Sequence, residues 1–309
     1  MDIYYDKAPG PKGGILTMGV FDGVHLGHRH LLSVCQAWAH RAGTFCEVWV
    51  FHPHPRTILR KERIPLITTL EERLALLHAI HPLVVRVISF SQELAQLSAE
   101  TFITEWIQAV SAPMGMVLGY DHRFGRDRRG GADMLRAIGL PVKEVPAFQR
   151  EGTPISSSAI RKLIAAGTVA VAHELLGYPF TVHGRVREGR QEARTFGVPT
   201  ANIPYPSEKV RPPAGIYVGW ANLVPKSPLP VSEGYPALLY LPPEGDLEVH
   251  ILDAPVEPTL YDTLIGVGFL EYLRPHQSFP SSTALIAQIH ADVEAARAYF
   301  SRLRNHFTK

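Results

Sequence analysis

Gly19-Val20-Phe21-Asp22-Gly23-Val24-His25-Leu26-Gly27-His28 follows an apolar run, Ile15-Leu16-Thr17-Met18, and leads into Leu31-Leu32-Ser33-Val34, a helix-like pattern. A strand, a glycine-bearing turn and a helix in that order make an anion site. Helix-start amides point at the ligand, and the helix dipole favours negative charge. His25 and His28 add donors that can meet phosphate oxygens where charge develops. A tight turn carrying two incidental histidines would explain the same residues.

The pattern repeats outward from this stretch. Strand-like runs at 15–20, 47–51, 83–90, 116–119 and 141–146 alternate with helical spacing at 27–41, 70–80, 99–110 and 131–138. Strands alternating with helices of about ten residues imply a parallel sheet with helices on both faces. Ligands of such sheets bind beyond the carboxyl ends of the strands, so the segments just after strands are the ones to inspect. Phe51-His52-Pro53-His54-Pro55-Arg56 is expected as an extended loop held by two prolines. Gly119 to Gly131 carries four arginines, suited either to a phosphate-rich ligand or to a plain surface loop. Ser157 and Ser158 resemble helix caps, whereas Arg161 in a first helical turn opposes the dipole and points to a bound anion.

The chain has 309 residues, 46% hydrophobic and 19% charged, which indicates a folded globular protein of about two domains. A formal net charge of +2 gives no bulk pull toward nucleic acid or membrane, and neither is expected as a partner. No apolar stretch reaches the length of about 18 residues that a transmembrane helix needs. The first residues, Met1 to Asp6, lack a signal-peptide core. Cys35 and Cys46 cannot build a disulfide framework, so a reduced, cytoplasmic setting is expected. A zinc site from His25, His28, His30, His52 and His54 is a rival reading, although no thiolate joins them and the glycines and Asp22 suit phosphate. The sequence sets no oligomeric state.

Composition changes after Gly177. Short β-like runs at 181–186, 216–220, 237–240, 247–251 and 264–267, separated by Gly, Pro and Ser, predict a small antiparallel barrel. Ala284 to Leu303 has helical spacing and is expected to pack on it. Thr200 and Asn202, two apart on an extended strand, point the same way and offer hard oxygen donors for Mg²⁺. Both residue types are also common near turns. Glu248, in Leu247-Glu248-Val249-His250, reads by itself as a solvent-facing strand residue.

Gly19 to His28 resembles the nucleotidyltransferase signature G-x-F-D-G-x-H-x-G-H, and Ile155 to Arg161 resembles its partner I-S-S-T-x-I-R. Gly197-Val198-Pro199-Thr200-Ala201-Asn202 is similar to the riboflavin kinase signature ending G-F-P-T-A-N. Together these motifs, in order from about Gly14 to Phe300, resemble bacterial bifunctional riboflavin kinase/FAD synthetases. The resemblance implies a Rossmann-like α/β parallel-sheet nucleotidyltransferase domain over 1–177. A small antiparallel β-barrel riboflavin kinase domain with a C-terminal helix would follow over 178–309. ATP would be the co-substrate, with riboflavin, FMN and FAD as substrates or products and Mg²⁺ as cofactor.

The resemblance further implies that His25 and His28 polarise ATP phosphates and that Glu248 is the kinase base. Gly19, Phe21, Asp22, Gly23, Asp121, Ser157, Ser158, Arg161, Gly184, Gly189 and Arg194 would bind nucleotide. Phe51, His52, Pro53, Phe124 and Arg274 would bind flavin, and Thr200 and Asn202 would hold Mg²⁺ beside the ATP phosphates. Ser158 stands where the family has threonine and His122 where it has an aromatic. The segment N-I-G-x-R-P-T-F is replaced by Tyr235 to Pro243. The expected activity is ATP-dependent phosphorylation of riboflavin to FMN, then adenylylation of FMN to FAD with release of pyrophosphate. Two alternatives stay open: an FAD synthetase with a weakened or inactive kinase domain, and a non-catalytic flavin- or nucleotide-binding regulator.

Overall fold

The computed structural model describes residues 2–80, 83–188, 198–223, 229–252 and 260–307. The chain forms two compact units, Met1–Ile64 with Arg73–Ser157, and Pro65–Glu72 with Ser158–Lys309.

The first unit is built on a parallel sheet of β1 (Ile3–Tyr5), β2 (Ile15–Gly19), β3 (Cys46–His52), β4 (Val84–Ser89), β5 (Gly115–Gly119) and β6 (Val142–Val145) in the order β1-β4-β3-β2-β5-β6. From β2 the chain first adds strands on one side, through β3 and β4, and then returns to add β5 and β6 on the other. The reversal lies between β2 and β5. Their pairing covers only Ile15↔Gly115 and Leu16↔Met116, while the strands run on to Gly19 and Gly119. A crevice therefore opens at their carboxyl ends, where open α/β sheets bind ligands.

Helix α1 (Leu26–Arg41) covers the sheet with Leu32, Cys35 and Ala39. The Cys46 thiol lies 2.7 Å from Cys35 Sγ, and Cys35 donates to Ile15 O, so both cysteines serve as buried packing groups. Phe51 to Arg56 departs from the expected extended loop. Pro55 opens helix α2 (Pro55–Arg60), for which its missing N–H and fixed φ are suited, and His54 Nδ1 caps it by accepting from Arg56 N. Helix α3 spans Leu70–His78, and α4 (Gln92–Ala95) and α5 (Ala99–Phe102) follow β4. The helix expected over 99–110 is α5 running directly into a π-helix, Ile103–Ser111. Helix α6 (Ala132–Ala137) precedes β6, and β7 (Gln149–Arg150) pairs with β8 (Thr153–Pro154). The N-terminal edge strand β1, for which the sequence pattern gave no signal, is held by Arg86, whose Nη1 donates to Asp6 O and Ala8 O.

In the second unit, α7 (Ser157–Ala165) and α8 (Val169–Leu176) lead into an antiparallel sheet of β9 (Phe180–Arg185), β10 (Ala201–Ile203), β11 (Gly215–Asn222), β12 (Tyr235–Leu241), β13 (Leu247–Ile251) and β14 (Leu264–Pro275), ordered β10-β13-β12-β11-β14-β9. The two ends nearly meet: Arg187 N donates to Asn202 O at 2.8 Å. A Cβ on Gly184 would lie 3.1 Å from Ile203 Cβ, so glycine allows the close approach. Alternation divides the sheet's faces. Phe180, Tyr217 and Phe269 pack ring against ring on one, while Ile216, Val218 and Trp220 meet Ala296 and Phe300 of α9 (Ser282–Phe307) on the other. Helix α8 buries Val169, Ala172 and Leu176, which draws 158–177 into this unit.

A segment distant in sequence joins the barrel unit. Leu66 pairs with Lys209, and Glu72 near the start of α3 accepts from Lys209 Nζ and from His183 Nδ1. Burial pushes the Glu72 carboxyl up, but the Lys209 charge and the His183 hydrogen bond hold it below the usual carboxylate range.

In the first unit, Arg86 and Glu47 form a fully buried ion pair at 3.2 Å, with Trp49 Nε1 donating to the same carboxylate. Removing one partner strands the other in a dry core. Glu47→Ala is expected to cost about 3–5 kcal/mol in urea unfolding, and Glu47→Gln, which keeps an acceptor, clearly less.

Candidate active sites

In the first unit the Gly19–His28 turn follows β2 into the crevice. Its backbone is contorted: Phe21 (φ 53°), Gly23 (φ 80°) and Val24 (φ 36°) all occupy the left-handed region. For a β-branched residue such as Val24 that is a true outlier. Donors over-determine the turn and hold it there. Arg73 Nη1 binds Val20 O at 2.9 Å, Val24 N binds Phe21 O at 3.0 Å, Ser157 Oγ binds Asp22 O at 2.9 Å and Arg29 Nε binds Val24 O at 3.2 Å. Buried Asp22 in turn lies 3.8 Å from Arg73. Strain of this kind persists where the surroundings fix it, and it clusters at functional sites.

The turn delivers His25 as the cap of α1, its Nδ1 accepting from His28 N at 3.3 Å. A neutral ring that accepts through Nδ1 carries its proton on Nε2, and that N–H is left to donate to a ligand. The His25 and His28 rings stack at 3.7 Å between centroids, with Phe21 against His28 at 5.1 Å. Gly27 permits this, since a Cβ there would come within 3.2 Å of the His25 ring. Burial pulls the His25 pKa down to about 4 against the opposing charge of Asp22. Burial, then His25 and Arg73, take His28 well below its ordinary value. The pair is therefore neutral at pH 7, and His28 Nδ1 is buried with no hydrogen-bond partner among the described residues.

Two histidines of the rival zinc reading serve elsewhere. His54 caps α2 and His30 packs on Phe148 at 5.2 Å. Among the described residues no group of three His, Cys, Asp or Glu is placed to hold a metal.

Beyond β3 and β5 lies a cavity of about 420 Å³, walled by Phe51, Phe90, Phe102 and Phe124, with Arg123, Arg126 and Arg128 around it. Phe124 and Gly130 exchange hydrogen bonds at 3.0 Å, and a Cβ on Gly130 would strike the Phe124 ring at 2.3 Å. Glycine is required there. Of the expected flavin residues, Phe51 and Phe124 line this cavity. His52 and Pro53 do not; His54 and Pro55 do instead. Asp121 is exposed beside Gly119. Ser158 and Arg161 share the first turns of α7, where Arg161 Nη2 donates to Ser158 Oγ at 3.1 Å.

The second unit assembles its own row. Strand register places Asn202, Glu248, Tyr240, Ile216 and Arg274 opposite one another across β10, β13, β12, β11 and β14. Residues directly opposite share a face, so Asn202 and Glu248 lie together although 46 positions apart in sequence. Arg274 is held by Asp292 of α9 through two hydrogen bonds, 2.8 and 2.5 Å, and stands 5.8 Å over Phe279. Tyr240, where the family segment is missing, bonds His276 Nδ1 at 2.9 Å. Burial and then the Glu248 charge raise its pKa. Gly189 and Arg194 lie outside the described residues.

Arg73 was not singled out from sequence, but it carried a signal. It falls with Leu70 and Leu77 on the apolar face of α3 and is 1% exposed. A charge on a buried helical face calls for a partner.

Because His25 is neutral when folded, the unfolded chain takes up its proton below about pH 6.5 while the native state does so only near pH 4. Stability is thus lost as pH falls through that window, with His25 alone contributing about 2 kcal/mol between pH 7 and pH 5. Urea midpoints at the two pH values are expected to differ more for the unsubstituted protein than for His25→Asn.

Family comparison agrees with this geometry. A family model described as FAD synthetase matches residues 7–159, and one described as riboflavin kinase matches residues 176–300. The bifunctional riboflavin kinase/FMN adenylyltransferase of Escherichia coli (strain K12) is 33% identical over 297 residues, covering 94% of this chain and 93% of that protein. The Bacillus subtilis (strain 168) protein of the same name is 31% identical over 300 residues, 94% and 93% of the two chains. A crystal structure titled as a macrolide-efflux protein from Streptococcus pneumoniae superposes with a TM-score of 0.84 at 27% identity, over 96% of this chain and 99% of that one. Among the described residues no helix is long and apolar enough to cross a membrane. The chain belongs to the family of bifunctional riboflavin kinase/FMN adenylyltransferases.

Proposed function

We propose that this chain makes FAD in two ATP-dependent steps in the cytoplasm. Residues 178–309 phosphorylate riboflavin to FMN, and residues 1–177 adenylylate FMN. The observation that carries the adenylylation reading is the hydrogen bond from Ser157 Oγ to Asp22 O, which joins two motifs 135 residues apart. They meet at the crevice where a parallel sheet binds nucleotides.

In this reading an FMN phosphate oxygen attacks the α-phosphorus of ATP, a new P–O bond forms, and the bond to the β-phosphate breaks to release pyrophosphate. The nucleophile is already an anion, so no strong base is required, and positioning and charge stabilisation supply the rate. A neutral histidine pair suits such a reaction, since His25 Nε2–H donates to a phosphate oxygen without a proton changing hands. The α1 amides and Ser157 would cradle the remaining phosphates. The phenylalanine-walled cavity accommodates a planar ring, and its arginines a phosphate.

For the kinase step, Glu248 takes the proton of the riboflavin primary hydroxyl as that oxygen attacks the γ-phosphorus and ADP leaves. Thr200 and Asn202 fit Mg²⁺ by their hard oxygen donors, and Asn202 shares the face of Glu248. The ion would neutralise phosphate charge. Arg274, fixed by Asp292, would face the flavin or its phosphate.

The test is separation of the two steps. With ATP, Mg²⁺ and either riboflavin or FMN, chromatography of the products should show FAD formation at least 100-fold lower in His28→Ala with FMN formation unchanged. Glu248→Ala should show the reverse. Equal damage to both steps by each substitution would contradict the two-site assignment, and flavin binding without turnover in the unsubstituted protein would favour a regulator.

A further inference from the structure

The side chain of His122 stands where the family resemblance calls for an aromatic, and the adenylyl-transfer reading gives it no role. It belongs to the cavity wall that Phe51, Phe90 and Phe124 also form. Its backbone is fixed from both sides: His122 N donates to Gly119 O at 3.0 Å, and Arg123 Nη1 donates to His122 O at 2.8 Å. The ring lies 6.4 Å from that of Phe124, tilted by 43°. Nε2 is buried and meets no hydrogen-bond partner among the described residues. Burial, the largest influence, lowers the His122 pKa to about 4 and keeps the imidazole uncharged.

A buried polar nitrogen without a partner is costly to the empty protein, and a phenyl group would fill the same wall without that cost. A neutral imidazole offers one N–H and one lone pair. Phenylalanines, other apolar side chains, His54 and arginines make up the rest of the cavity wall. The nearby Asp121 carboxylate opposes the effect of burial on the ring but gives Nε2 no hydrogen bond, so within the cavity a ligand is the source of a matching polar edge. We propose that His122 is a specificity-determining residue of the acceptor site, hydrogen-bonding a polar edge atom of the planar heterocycle that packs among the phenylalanines. The inference rests on the adenylyl-transfer reading and deepens it: this chain reads the acceptor ring by polar recognition where its relatives' pattern places an aromatic.

The full chain is assayed for FAD formation from FMN at saturating ATP, alongside thermal unfolding without ligand. His122→Phe is expected to raise KM for FMN about tenfold, with kcat within twofold and KM for ATP unchanged. Its unfolding temperature is expected to be equal to or above that of the unsubstituted protein, because an unsatisfied polar atom is gone. Among FMN analogues that each lack one ring carbonyl or ring nitrogen, the unsubstituted enzyme should lose affinity for at least one, and His122→Phe should lose that discrimination. If His122→Phe does not fold, His122→Leu carries the same comparison. An unchanged KM for FMN, or a raised KM with lowered stability and analogue discrimination intact, would overturn the proposal and leave a packing residue only. Failure of the unsubstituted protein to make FAD would instead overturn the adenylyl-transfer reading, and this proposal with it.

Discussion

The four hydrogen bonds that hold the backbone carbonyls of Val20, Phe21, Asp22 and Val24 are the constraint on which the first unit's site depends. Three left-handed residues in four, one of them valine, would relax in an isolated peptide. Three of the donors come from α1, from α3 and from Ser157, so the turn is set by tertiary structure and not by local preference. What the strain achieves is placement. His25 becomes the cap of α1, and its ring and that of His28 stack over Gly27, where no side chain competes for the space.

In the proposed adenylyl transfer that placement also sets the chemistry. Burial makes both imidazoles neutral donors, which suits a reaction whose nucleophile needs no deprotonation. The second unit solves a different problem with a different device. In the proposed kinase step the acceptor is a neutral hydroxyl that must lose a proton, and the sheet register sets a carboxylate, Glu248, beside the oxygen donor Asn202. One protein thus holds an uncharged pair in a dry turn and a carboxylate on a half-buried strand. The difference follows from what each reaction demands of its proton.

Much of this was legible in sequence. The alternation of strands and helices carried the parallel sheet, and the glycines of the Gly19–His28 stretch marked its turn. Arg73 was legible in principle from its place on an apolar helical face. The pairing of Asn202 with Glu248 was not, because strand register is decided by partners distant in the chain. For the same reason the joining of 65–72 to the barrel through Leu66, Glu72 and Lys209 left no local mark. Proline restricts the residue before it and favours turns, which points to a loop at Pro55, but at a first helical position it starts a helix. His122 was visible as a departure; only the cavity around it gave the departure a meaning.

The central claim is that the strained turn and its neutral histidines direct attack on the α-phosphorus of ATP. Supplying the protein with FMN, Mg²⁺ and ATP labelled at either the α- or the γ-phosphorus tests it directly. The account predicts that α-label enters FAD in a one-to-one ratio with product while γ-label leaves entirely as pyrophosphate. No α-label in the flavin product, or γ-label transferred to FMN, would contradict it.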